Sequence, residues 1–191
     1  MANSQLDVLV ICGSLRKGSY NAALARTLPA LAPAGLSLRP APSFEKIPHY
    51  NADIQNSSGF PVEANAWADA IRGADALIIV SPEYNWSIPG ALKNAIDWVS
   101  RMPQQPFKEK PVVLQSCAGG ILGGSRMQYH LRQSLTSVDA VLFGRPEVMV
   151  TFAAQKFDDK TLELKDQAAI DLIRQQLAGF ELFARRQLGK G

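Results

Sequence analysis

Two cysteines, Cys12 and Cys117, and two histidines, His49 and His130, are all that 191 residues contain of these types. That is too few thiols for a disulfide scaffold and too few soft ligands for a structural zinc site, so no metal is expected. No apolar run approaches the roughly 20 residues needed to span a bilayer. Met1 to Leu6 lacks the basic start and apolar stretch of a secretory leader, so a cytoplasmic chain is expected. Charge of one sign is scarce too. Lys and Arg number 20 against 17 Asp and Glu, a net +3, and the basic residues are scattered. That argues against a nucleic-acid footprint and weakly for small anionic ligands. The absence of a G-x-S-x-G elbow argues against a hydrolase of that type. What is present is apolar: 47% of residues are hydrophobic and 19% charged, enough for one domain over 1–191.

The apolar runs come in a regular beat. Asp7 to Cys12 is a β-branched run ending at Gly13, as a strand buried on both faces should look. Asn21 to Leu31 turns helical, with Ala22, Ala25, Leu28 and Leu31 on one face, and Gly35 stops it. Leu36 to Arg39 reads as a second strand closed by Pro40 and Pro42. Ser43 to Pro61 reads as a long irregular stretch. Pro61 then suits the first turn of a helix over Val62 to Arg72. Ala76 to Val80 is the third strand and Pro89 opens the next helix, with Ala91, Leu92, Ala95, Ile96 and Val99 inward. Pro111 to Ser116 is the fourth strand, and Gly124 to Val138 is helical. A fifth strand begins at Ala140 to Phe143 and resumes at Val148 to Val150. Asp166 to Arg186 is a final amphipathic helix. Strands alternating with helices predict a parallel sheet covered on both faces, and a five-stranded order 2-1-3-4-5 is preferred.

In such a sheet a ligand lies beyond the carboxyl ends of the strands, at the switch point between strands one and three. The three loops there are the most unusual stretches of the chain. Gly13-Ser14-Leu15-Arg16-Lys17-Gly18-Ser19-Tyr20-Asn21 combines hydroxyls, a permissive glycine and a helix start, which together make an anion cradle. It is neither a Walker loop nor a dinucleotide fingerprint, because Gly18 is not followed by Lys and position 15 is leucine. It suits a single terminal phosphate. Pro82-Glu83-Tyr84-Asn85-Trp86-Ser87-Ile88-Pro89-Gly90 sets two aromatics in a proline-stiffened turn suited to a planar heterocycle. Cys117-Ala118-Gly119-Gly120 has side chains small enough for close backbone approach.

Together these motifs, with Ala91 to Trp98 and Gly119 to Gln128, resemble the NADPH-dependent FMN reductase family, in its quinone- and chromate-reducing bacterial branch. The resemblance implies a flavodoxin-like fold, noncovalent FMN, and NAD(P)H as co-substrate. Hydride transfer would follow a two-electron ping-pong scheme to quinones, chromate, azo compounds, ferric complexes or free flavin. By the same resemblance Ser14, Arg16, Ser19 and Asn21 would hold the phosphate and ribityl chain, within a loop that also carries Leu15, Lys17, Gly18 and Tyr20. Pro82, Glu83, Tyr84, Asn85 and Trp86 would line the ring. Cys117, Ala118 and Gly119 would meet its pyrimidine edge through backbone groups. The protein would form dimers or tetramers, with Arg126, Tyr129 and Glu147 at contacts between dimers. Trp86 and Cys117-Ala118 depart from the family pattern, which more often has tyrosine or a smaller residue at the first and hydroxyl residues at the second.

No side-chain acid or base is required for hydride chemistry, since the hard step belongs to the cofactor. His130 reads as packing or interface. Cys12 and Cys117 end strands separated by a third, so their Cα atoms should lie roughly 9 to 10 Å apart, beyond disulfide reach. Arg126 and Tyr129, three apart, share a helix face. A flavodoxin-type electron carrier for a protein partner is the alternative, although such carriers usually dock through an acidic face that a net basic chain lacks.

Overall fold

A computed structural model describes residues 5–190. Strands β1 (Leu6–Cys12), β2 (Leu36–Pro40), β3 (Ala76–Val80) and β4 (Pro111–Cys117) form one parallel sheet in the order β2-β1-β3-β4. The anticipated fifth strand is two short pieces, β5 (Val141–Leu142) and β6 (Val148–Val150). β5 pairs with the start of β4 and β6 with its end. Pro146 lies between them and has no N–H to give to a ladder. The flavodoxin-like order 2-1-3-4-5 therefore holds, with its last strand interrupted.

Every residue of β3 is fully buried, because it is the sheet's central strand and helices cover both faces. Leu9, Ile11, Leu77, Ile79, Val112 and Leu114 face one layer, built from α3 (Val62–Gly73), α4 (Gly90–Val99) and α5 (Ser125–Thr136). Val8, Val10, Ile78, Val80 and Val113 face the other, built from α1 (Tyr20–Leu31), the short α6 (Ala153–Lys156) and the 21-residue α7 (Gln167–Gln187). The alternation is the period-2 pleat of a strand buried on both sides.

Two expectations hold only in part. The stretch from Ser43 to Pro61 is not wholly irregular: α2 (Ala52–Ser58) lies inside it, capped by the Asn51 side chain, which accepts from Asp53 N. None of its residues is buried, so it has no apolar stripe to read. The stretch is also anchored. Asn94 Nδ2 and Trp98 Nε1 both donate to Pro48 O at 2.8 Å, and Tyr50 N donates to Asn94 Oδ1. In α1 the buried face is Asn21, Ala23, Leu24 and Leu28; of the expected row Leu28 is buried, Ala25 and Leu31 pack only partly against the core, and Ala22 is half-buried. Alanines at 22, 23 and 25 leave the helix face ambiguous in sequence, and Leu24 wins the core.

Candidate functional site

The first loop leaves β1 by hugging β3. Gly13 N donates to Val80 O at 2.8 Å, and a Cβ at Gly13 would come within 2.4 Å of Ser81 Oγ, so only glycine allows the approach. Ser19 then caps α1: its Oγ accepts from Asn21 N and Ala22 N, at 3.2 and 3.4 Å. Ser14 Oγ accepts from Arg16 N. The backbone N–H groups of Lys17, Gly18 and Tyr20 meet no acceptor among the described residues. They lie in the turn at the positive end of the helix dipole.

Asn21, expected to touch a ligand, also joins two loops. Its Nδ2 donates to Cys117 O at 2.9 Å and its Oδ1 accepts from Cys117 N at 3.0 Å. This two-bond clamp is buried and pins the start of α1 to the end of β4. Burial also pushes the Cys117 thiol up to about 12, which keeps it protonated and unreactive. Burial raises Cys12 as well, opposed by the Ser14 carbonyl bond and by Arg26. Both thiols are free, with β3 between their strands.

The loop after β3 is a miniature hairpin. Tyr84 and Ser87 exchange both backbone hydrogen bonds at 3.0 Å, and the two residues between them, Asn85 and Trp86, have φ of +49° and +66°. This is the left-handed pair of a two-residue turn, a place that favours Asn-Gly; tryptophan there is strained. Contacts to α5 hold it. The Arg126 guanidinium sits 4.1 Å over the Trp86 ring, Ser87 Oγ lies 3.0 Å from His130 Nδ1, and Glu83 Oε2 accepts from Met127 N at 3.1 Å. Glu83 thus acts as a remote cap on α5, whose N-terminus follows Gly124 and has no side-chain cap of its own.

The third loop is fixed from beneath. Ser116 Oγ donates to Gly123 O at 2.6 Å, and Gln128 Nε2 donates to Ser116 Oγ and Val148 O, both at 2.8 Å. A Cβ at Gly123, where φ is +57°, would come within 2.9 Å of the Met149 backbone. Sequence reading missed this role of Gln128. The available signal was a polar residue between the inward positions Met127 and Leu131.

The three loops converge on a cleft of about 210 Å³. Ser14, Arg16, Ser19, Tyr20 and Asn21 supply one wall, Pro82, Glu83 and Tyr84 a second, Cys117, Ala118 and Gly119 the third. Five expected residues do not line it. Leu15, Lys17 and Gly18 are exposed beside it, and Asn85 and Trp86 stand at the exposed hairpin tip. Arg126 and Tyr129 share an exposed face of α5, as expected, but Glu147 pairs with Arg132 of the same chain at 3.3 Å. Among the described residues no cluster of potential metal ligands occurs and no helix is long and apolar enough to cross a membrane.

The family model for NADPH-dependent FMN reductases matches residues 6–155. A quinone reductase of Escherichia coli (strain K12) is 48% identical over 184 residues, covering 96% of this chain and 98% of that protein. An NAD(P)H-dependent FMN reductase of Pseudomonas aeruginosa is 44% identical over 187 residues, covering 98% and 100%. Among solved structures, the flavoenzyme NAD(P)H:(acceptor) oxidoreductase FerB of Paracoccus denitrificans superposes with a TM-score of 0.84 at 30% identity, over 95% of this chain and 98% of that one.

Proposed function

Because the chain belongs to the NADPH-dependent FMN reductase family, we propose that the three-loop cleft is its FMN site and that it passes reducing equivalents from NAD(P)H to quinones. The donor set fits the cofactor. One end of the cleft offers two serine hydroxyls, an arginine and the spare N–H of Tyr20 at a helix start, the chemistry a phosphate needs. The other end offers Tyr84, Pro82 and the small residues Ala118 and Gly119. A Cβ on Gly119 would meet nothing within 4 Å, so no protein atom crowds that wall of the cleft.

Bound FMN supplies the hydride-accepting and hydride-donating chemistry that no side chain here provides. The chain's own residues position and shield. Ser14, Ser19 and Arg16 anchor the phosphate end. The Asn21 clamp fixes the distance between that anchor and the Cys117 backbone. Glu83 fixes the third-strand loop against α5, and the hairpin's paired Tyr84 and Ser87 keep its peptides from reorienting. Tyr84 and Trp86, 49% and 65% exposed, leave the mouth open to flat donors and acceptors in turn. That suits quinones, and chromate, azo compounds and ferric complexes belong to the same proposed acceptor range.

The observation that carries this reading is the convergence of three chemically distinct loops on one cleft. The relatives are a quinone reductase and an NAD(P)H-dependent FMN reductase, and they lend the protein-to-protein carrier alternative no support. We further place the protein in the cytoplasm as a dimer or tetramer. Trp86, Ile121, Leu122 and Tyr129 are exposed and would offer apolar surface for a second copy to cover, with Arg126 over Trp86. Protein purified from cells should carry FMN released intact by denaturation. It should oxidise NADPH or NADH with a benzoquinone and give parallel double-reciprocal lines. Colourless protein that does not take up added FMN would refute the assignment.

A further inference from the structure

A larger cavity, about 640 Å³, opens at the sheet edge beside β2 and shares only Ser14 with the walls of the cleft. It exists because β2 stops early. Val10 pairs with Pro40, Ala41 N makes the next bond to Val10 O at 2.9 Å, and Ile11 and Cys12 have no β2 partner. Pro40 and Pro42 cannot extend a ladder. Nor does α1 fill the gap, because the side lining it carries only Ala22, Ala25, Arg26 and Pro29. Ala22 and Ala25, both half-buried, form part of the cavity wall.

The recess is apolar and its rim is charged. The apolar surface it presents comes from accessible lining residues, Leu15, Pro29, Leu38, Pro40 and Pro42, over the buried Val10, Ile11 and Phe44. Arg26 is exposed and has no ion pair among the described residues, unlike its neighbour Arg39, which is held by Asp7 at 2.9 Å. Glu45 is the rim's other exposed charge.

We propose that this cavity binds a small amphipathic monoanion, its apolar body in the recess and its carboxylate on Arg26. The volume lies within the range of roughly 300–1,000 Å³ usual for small-molecule sites. Arg26 offers a planar fork matched to a carboxylate, and Glu45 disfavours a second negative charge. The site is independent of the flavin assignment.

Decanoate and decanol are suitable probes, titrated by calorimetry into the FMN-bearing protein below the concentration at which decanoate forms micelles. Decanoate should bind saturably at one site per chain, and Ala25→Phe, which fills the wall, should abolish that binding. Arg26→Gln should weaken decanoate about tenfold while leaving decanol unchanged. In the unmodified protein, decanoate should also slow alkylation of Cys12, which lines the cavity, by N-ethylmaleimide. This arm needs no variant, so it decides the matter if Ala25→Phe fails to fold. The proposal is overturned if decanoate does not saturate, if a folded Ala25→Phe protein binds it unchanged, if Arg26→Gln weakens both probes alike, or if Cys12 is alkylated equally fast with and without decanoate.

Discussion

The loops after β1 and after β3 occupy equivalent places, each leading from a central strand to a helix at the switch point, yet they are stabilised in opposite ways. The first is largely self-contained: Ser19 caps its own helix, and Ser14 accepts from Arg16 two residues on. The second holds two residues in the left-handed region and depends on α5 for an ion-to-ring contact, a serine–histidine bond and a carboxylate cap. The difference separates anchoring from shape. The first loop can grip a ligand without help, whereas the second keeps its shape only while α5 is in place, so substitutions on α5 should reach the cleft mouth.

The largest expected effect comes from the bond pair that ties the start of α1 to the end of β4. Asn21→Leu removes both clamp bonds and strands a buried N–H and C=O of Cys117; it should cost about 3 kcal/mol in urea unfolding and also weaken FMN. If it costs no more than a surface change, the clamp is not a structural tie. Glu83→Gln keeps the shape but removes the charge capping α5. A loss of about 1 kcal/mol is expected, together with weaker FMN binding, and an unchanged melt would break the claimed dependence of the second loop on α5.

Cys117 offers a pH test beside the clamp. Its thiol titrates near its ordinary value when unfolded and at about 12 when folded, so its contribution to stability is complete below pH about 9 and is lost as pH rises toward 12. Between those limits stability should fall more steeply than in Cys117→Ala, by about 1 kcal/mol per pH unit. Parallel curves for the two proteins would contradict the buried thiol. The smallest effect is expected at the strained tip. Trp86→Gly relieves the left-handed tryptophan but forfeits the Arg126 contact, terms of about 1 kcal/mol each that oppose. Arg126→Ala loses only the contact, so a double-mutant cycle separates strain from stacking. Additive effects would show that Trp86 and Arg126 do not support each other.

Hydrophobic patterning made β1, β3 and β4 legible almost to the residue, because runs buried on both faces are bounded sharply by Gly13, Ser81-Pro82 and Gly119-Gly120. The cleft was legible for a related reason: parallel topology dictates which loops meet, and those loops are compositionally odd. Its internal wiring was not. That Asn21 reaches Cys117, 96 positions away, and that Glu83 caps a helix 44 positions on, depends on tertiary placement that no local pattern encodes. α2 escaped notice because an exposed helix has no apolar stripe. Leu28 marks the inner face of α1, but the alanines around it do not, because alanine is compatible with either side.

The most direct test is a crystal structure grown with FMN. The flavin phosphate should lie within hydrogen-bond reach of Ser14, Ser19 and Arg16 at the start of α1, with the ring between Tyr84 and the Ala118–Gly119 backbone. FMN bound in the cavity beside β2, or on the α5 face with the three-loop cleft empty, would contradict that placement.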